Sequence, residues 1–446
     1  MPHSAPDSRS AAACRWPRSL GLIGAIGLAV GAIALPQLTG WDTHASAGRA
    51  RTLPPWFGYL WPHVGVTTPI AVLLGALGVW FGPRLAASLS WRRLLVLAWI
   101  TSLAWLLCLA LVDGPQGISQ VLGSSAEYLP TARSVNDVGA LLRTYVDHIP
   151  LDSDHRFPVH VAGHPPAMLL FFVGLVRVGL GSDFRAGLAV VVVASTIAPA
   201  VLLTLRRLDA EVAARLVAPY LVLTPAAVFL AVSADAVMAA VAAWSMVLLA
   251  IAATTRGRPQ VAAGLGAGLG FGLLVMMSYG LPTFGLIAIG LLVAARQFLR
   301  PVLLTAVGAL AVVGGFALAG FAWWQALPVL SDRYWDGIAS QRPAAYWLWA
   351  NLAVLVLTAG PFLVPGIVTL GRADPAVRPM VIGAVLAVFV ASVSLMSKAE
   401  TERIWLPFMP WLTLAVVALP ERWRRIGLAV HVTLALALQH LLFTVW

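Results

Sequence analysis

Apolar residues run along this chain in long blocks broken by short polar stretches. A helix crossing the hydrocarbon core of a bilayer needs about 20 residues. Blocks of that order fall near 20–38, 64–82, 94–112, 184–205, 212–230, 235–253, 261–279, 281–297, 301–322, 346–370, 379–396, 404–420 and 425–444. The expected fold is therefore all-α, a polytopic transmembrane bundle of about 13 helices. One more apolar block, 165–181, is only 17 residues long and fits either a span or a surface helix. The pattern is interrupted by a polar island from Asp113 to Pro166, dense in Asp and His. Short connections are the default in compact folds, so so long a loop is expected to work for its place. We read it as one wall of a catalytic site at a membrane surface.

Composition agrees with that pattern. Of 446 residues 60% are apolar and 11% charged, with mean hydropathy +0.87. No soluble core absorbs that much hydrocarbon. Cys14 and Cys108 fall in the N-terminal tail and in an apolar block, so neither a disulfide nor a cysteine metal site is expected. Ala45-Ser46-Ala47 resembles a signal cleavage site but lies too far beyond the first apolar block. That block is read as a retained first helix.

Charge then fixes an orientation. If 165–181 lies on the outer surface, the inner loops collect 18 of the 29 basic residues against 5 acidic ones. This satisfies the positive-inside rule. The +11 net charge is then loop charge, and no nucleic-acid partner is needed to explain it. The N-terminus is expected in the cytoplasm and the protein in the plasma (inner) membrane. Arg177 anchors the surface helix at the interface. The outer face then carries the loop 113–183 with its juxtamembrane helices, the loops 323–345 and 397–403, and the turn Ser233-Ala234-Asp235. The chain divides into a tail (1–19), a transmembrane hairpin (20–93), a catalytic membrane module (94–300) and C-terminal helices (301–446).

Candidate chemistry gathers on that face. Asp235, between two apolar blocks, is either functional or a cap for the helix that follows. Glu127, before a short amphipathic helix, is either a general base or a surface or capping acid; Asp113 and Asp137 are its rivals. The run Asp147, His148, Asp152, Asp154, His155, His160, His164 has metal-ligand residue types but no metal-motif spacing, and a hydrogen-bonded loop explains it as well. Lys398, Arg403 and Arg333 are outer-face cations able to hold a phosphate, or to pair with nearby acids. The glycines from Gly264 to Gly272 follow no strand, so close helix packing accounts for them better than nucleotide binding.

His164-Pro165-Pro166-Ala167-Met168-Leu169-Leu170 and Gly181-Ser182-Asp183-Phe184-Arg185-Ala186-Gly187 resemble a passage of the GT-C glycosyltransferases, the class that holds the protein O-mannosyltransferases and the aminoarabinose transferase. Leu205-Arg206-Arg207-Leu208, Leu223-Thr224-Pro225, Ser233-Ala234-Asp235-Ala236, Gly268–Gly280 and Glu400–Pro410 resemble later steps in the same order. The likeness covers roughly 94–300 well and the rest loosely. It departs where Ala126-Glu127 stands for Asp-Glu and Ser278-Tyr279 for Thr-Lys, which removes a phosphate-binding cation.

This resemblance implies inverting transfer of a sugar from a polyprenyl-monophosphate donor to an outer acceptor: glycan, lipid or protein. It makes Glu127 the base and Asp235 the second catalytic acid. It places His164 at the donor phosphate, with Lys398 or Arg403 as the phosphate-binding cation, and Tyr128 and Arg333 are read beside them as substrate-binding residues. No cofactor is required, a divalent metal ion being left open, and membrane lipids are the remaining partners. Mannose or arabinose is the natural sugar. The alternatives are a lipid-linked substrate transporter or flippase, or a non-catalytic cell-envelope assembly protein.

Overall fold

The computed structural model describes residues 16–45 and 52–444. The tail 1–19, with Cys14, falls almost wholly outside the described residues, as do Ser46 and Ala47. What is described is a helical bundle with one small two-stranded ribbon. Its elements are α1 (Trp16–Thr39), β1 (Gly58–Leu60), α2 (Thr68–Ser88), α3 (Trp91–Ala110), α4 (Gln116–Gly123), α5 (Tyr128–Ser134), α6 (Val138–Thr144), α7 (Val159–Ala162) and α8 (Pro166–Arg177). There follow α9 (Asp183–Ser195), α10 (Ile197–Arg207), α11 (Glu211–Val222), α12 (Ala227–Leu230), α13 (Ala234–Thr254), α14 (Arg258–Met277), α15 (Gly285–Ala295) and α16 (Leu299–Leu318). The chain ends with α17 (Trp323–Asp336), α18 (Ala344–Ala359), α19 (Leu363–Val368), α20 (Val377–Val393), α21 (Thr401–Ile404), α22 (Met409–Thr413), α23 (Glu421–Leu441) and β2 (Leu442–Thr444).

Among the described residues, seven helical stretches are long and apolar enough to cross a membrane: 17–39, 68–88, 91–113, 183–207, 234–254, 258–277 and 299–318. Other apolar blocks are interrupted where the chain carries backbone breakers. The block 212–230 breaks at Leu223-Thr224-Pro225, where proline removes a helix donor and Thr224 Oγ1 accepts instead from Ala226 N at 3.2 Å. The block 346–370 breaks at Gly360, whose φ of +89° suits glycine, followed by Pro361. The 12-residue α8 is only about 18 Å long at 1.5 Å per residue, too short to cross the hydrocarbon core.

Small residues set the closest helix approaches. A Cβ on Gly264 or Gly272 of α14 would press into Leu304 and Val312 of α16, and one on Gly268 or Gly308 would strike the facing backbone. The glycine run is thus a helix–helix seam. Around the bundle Ile23, Trp80, Leu310 and Phe389 are exposed. An apolar outer belt of this kind suits lipid contact.

Loops separate to two ends. At one, Arg215 donates to the carbonyls of Ala86 (2.7 Å) and Leu89 (2.9 Å) and pairs with Glu211, while Arg206 lies 4.5 Å over the Trp91 ring. Tyr220 reaches the Arg424 carbonyl there. The 21-residue α2 leads from this end to the other, where Thr68 meets His440 at 2.9 Å. The polar island gathers at that second end as short helices. The stretch 323–345, expected as a loop, is largely the helix α17.

Candidate active site

Glu127 immediately precedes α5 in extended backbone, in the position of a helix cap, yet its side chain makes no cap hydrogen bond. It turns instead to His160 on α7, accepting from Nδ1 at 2.7 Å through Oε1. Pro158 and Gly163 bound α7 to a single turn, which presents His160 inward at 9% exposure. The other ring nitrogen, Nε2, lies 2.9 Å from an Arg403 guanidinium nitrogen. A guanidinium can only donate, so Nε2 accepts and Nδ1 carries the proton toward Glu127. The second Arg403 nitrogen reaches Asp235 Oδ2 at 3.0 Å.

The capping reading of Asp235 is thereby displaced. Ser233 caps α13, its Oγ accepting from Ala236 N at 3.2 Å, and leaves the Asp235 carboxylate to Arg403. The chain Glu127–His160–Arg403–Asp235 is buried throughout. Arg403 also lies 3.4 Å from Glu400, which Arg342 meets at the same distance. Glu400 and Ala399 hold positive φ (+63° and +70°), as does Leu395 (+57°). Such left-handed residues cost roughly 1–2 kcal/mol each, and they concentrate on the segment that delivers Arg403.

Electrostatics follow from this packing. Burial pushes the Glu127 carboxyl up, but His160 and Arg403 together draw it below its ordinary value, so it stays ionised. Glu400 is likewise pushed up by burial and drawn below its usual range by Arg342 and Arg403. Burial would lower the Arg403 guanidinium, and Asp235, Glu127 and Glu400 more than reverse this. Tyr128 is fully buried, its phenol pushed well up by burial and by the charges of Asp235 and Glu127. Its ring stacks on Phe172 at 5.6 Å and meets His164 edge-on at 5.8 Å.

Buried polar atoms normally find a partner. Glu127 Oε2, Tyr128 Oη and Thr401 Oγ1 are buried here with none. The first belongs to a carboxylate whose other oxygen already accepts from His160.

The remaining expected site residues do different work. His164 Nδ1 donates to the His160 carbonyl at 2.9 Å, and burial pushes the imidazole down toward its neutral form. It therefore offers Nε2 as an acceptor and is not the fixed cation expected beside a phosphate. Lys398 is buried, its Nζ donating to the carbonyls of Ala339 (2.8 Å) and Arg342 (3.0 Å) and lying 4.6 Å over the Trp335 ring. Burial, with Arg342, pushes this amine down. Arg333 holds the carbonyls of Ile149 and Phe157, the latter at 3.0 Å. Both cations brace loops, and only Arg403 of the three enters the centre.

Of the rival bases, Asp137 caps α6 through Ala140 N at 3.0 Å. Asp113 sits apart with His63 and Gln439. The Asp/His run does not converge: His148 turns to the Thr144 carbonyl at 2.6 Å, and only His160 and His164 face the centre. Among the described residues no three His, Cys, Asp or Glu side chains are arranged to hold a metal ion. The Arg403 guanidinium stands between Asp235 and His160.

Two central residues escaped the sequence reading of the site. His160 was visible only as one of several metal-type residues, and Glu400 only as a neighbour of Arg403. The spacing from Glu127 to His160 carries no helical or strand period that would pair them. No protein-family model, curated protein or solved structure matches this chain.

Proposed function

We propose that this chain is a multi-pass membrane glycosyltransferase. In this reading it moves a sugar from a polyprenyl-monophosphate donor to a cell-envelope acceptor on the extracytoplasmic face, with its N-terminus in the cytoplasm. The observation that carries the reading is the unpartnered, buried Oε2 of Glu127, at the end of a hydrogen-bonded chain through His160 and Arg403 to Asp235.

In the proposed reaction the acceptor hydroxyl gives its proton to Glu127 Oε2 as its oxygen bonds to the anomeric carbon. The bond from that carbon to the donor phosphate breaks, and the electron pair leaves on polyprenyl phosphate. His160 holds Glu127 in place through Oε1. Arg403, anchored by Asp235, supplies fixed positive charge where negative charge develops, a strong form of transition-state stabilisation. The order of GT-C-like motifs in the sequence supports the donor class, and Asp235 and Arg403 fall on two of them.

The test is complementation of a deletion strain with wild type, Glu127→Gln and Asp235→Asn, reading envelope glycans by mass spectrometry and membrane protein by blot. Glutamine keeps the acceptor for His160 and removes only the charge. Loss of one glycan with Glu127→Gln present in the membrane supports the reading. Full restoration by Glu127→Gln excludes it and favours transport or scaffolding.

A further inference from the structure

A cavity of about 260 Å³ lies at the end of the bundle where the polar island begins, lined in part by Asp113. Its walls come from α4, from the turn before α13 and from the ribbon that joins β1 to β2. Tyr59 pairs with Phe443 in that ribbon, and their rings stack at 5.0 Å. Trp61, 52% exposed, stands edge-on to Tyr59 at 6.1 Å. Backbone bonds from Trp61 N to the Leu441 carbonyl (2.8 Å) and from His63 N to the His440 carbonyl (2.9 Å) hold this aromatic wall against the end of α23.

The cavity is also lined by polar side chains, a carboxylate that accepts and amides that both donate and accept. Asp113 accepts from Gln439 Nε2 at 2.8 Å and lies 3.0 Å from His63 Nε2, and Gln116 and Gln120 of α4 line the cavity with it. Among the described residues no Lys or Arg lines the cavity. A phosphate or other anion would meet the Asp113 carboxylate there, and the basic side chain in the described lining, His63, already lies 3.0 Å from that carboxylate. A neutral polyhydroxylated ligand would find amide and carboxylate groups for its hydroxyls and aromatic faces for its C–H surfaces. The volume is below the about 300–1,000 Å³ typical of drug-sized ligands, which suits a terminal sugar residue. Val232 lines the cavity, and Asp235 follows three residues on along the chain.

We propose that this cavity is a carbohydrate subsite that seats the terminal sugar of the acceptor, which makes the acceptor a glycan. The proposal rests on the glycosyltransferase reading for its role, but the binding it asserts is measurable without turnover.

The experiment is saturation-transfer NMR of the full chain in lipid nanodiscs, with mannobiose and an arabinose disaccharide as neutral probes and mannose 1-phosphate as an anionic one. Transfer to at least one neutral disaccharide is expected. Trp61→Ala and Gln120→Ala are expected to lower it at least 5-fold at unchanged melting temperature, while Glu127→Gln keeps it. No transfer to either disaccharide, equal transfer in all variants, or stronger transfer to mannose 1-phosphate overturns the subsite. A disaccharide signal alongside intact glycans in Glu127→Gln cells leaves the subsite standing and removes the proposed catalysis. Lost glycans without any disaccharide signal do the reverse.

Discussion

Arg403 and Asp235, 168 residues apart in sequence, form a buried ion pair at 3.0 Å. The pair ties the segment after α20 to the first turn of α13 and sets the guanidinium against His160. Each side chain is 3–4% exposed, so neither charge is left to solvent.

Removing one partner should therefore cost far more than a surface ion pair would. Breaking a buried pair typically costs about 3–5 kcal/mol because the other charge is stranded. Arg403→Ala is expected to lower the thermal unfolding temperature of the detergent-solubilised protein sharply. Arg403→Ala with Asp235→Ala should recover part of the loss. Additive losses in that double-mutant cycle would show that the pair is not coupled.

Glu127→Gln is expected to leave folding intact and reduce transfer by roughly 10²–10⁴-fold, the usual contribution of a positioned general base. His160→Ala should reduce turnover less, and more in kcat than in KM, because His160 holds the base without touching substrate in the proposed reaction. Steady-state rates on a membrane preparation distinguish the two. Equal KM effects with unchanged kcat would place His160 at the substrate instead.

The depressed Glu127 carboxyl makes stability depend on pH with a definite sign. A group whose folded pKa lies below its unfolded value stabilises the fold above the unfolded value, here the ordinary 4.5. That stabilisation is lost as pH falls below 4.5 through the folded value. The melting-temperature gap between wild type and Glu127→Gln should be constant from neutrality to about pH 5.5 and shrink below it. A gap that widens on acidification would contradict the charge arrangement.

Lys398 and Arg333 are expected to behave as braces. Lys398→Met leaves the carbonyls of Ala339 and Arg342 without their donor, and losing such a buried partner costs about 1–3 kcal/mol. Its melting temperature should fall while KM for the donor stays near wild type. A large rise in donor KM at unchanged stability would return Lys398 to the substrate site.

Gly360 and His431 share one packing space. A Cβ on Gly360 would overlap the His431 imidazole, and φ is +89°. Gly360→Ala should destabilise by about 1–3 kcal/mol through overpacking, with backbone strain in addition. His431→Ala should relieve the clash but not the strain, so the double variant recovers only in part. Full recovery would assign the whole cost to the imidazole.

Much of the bundle was legible because apolar block length maps directly onto helix length. The blocks 235–253 and 261–279 became the helices 234–254 and 258–277. The surface placement of 165–181 rested on loop charge, and the structure gives a helix too short to cross. Breaks such as Leu223-Thr224-Pro225 and Gly360-Pro361 were also in the sequence, but they were outweighed by the hydropathy around them. The helix α17 was missed because its charges, among them Asp332, Arg333 and Asp336, resemble a loop when no partner is known.

The site divides along the same line. Residue type and position singled out Glu127, Asp235 and Arg403, because carboxylates and a guanidinium beside apolar helices are costly to bury and suggest a task. Which of them touch was decided by tertiary structure alone. Capping positions look alike in sequence, yet Asp137 caps its helix while Ser233 frees Asp235. Lys398, Arg403 and Arg333 look alike too, yet of the three only Arg403 lies between His160 and Asp235. The reason is physical: helix and span lengths follow from local hydrophobicity, whereas an ion pair depends on where the packed helices bring distant segments together.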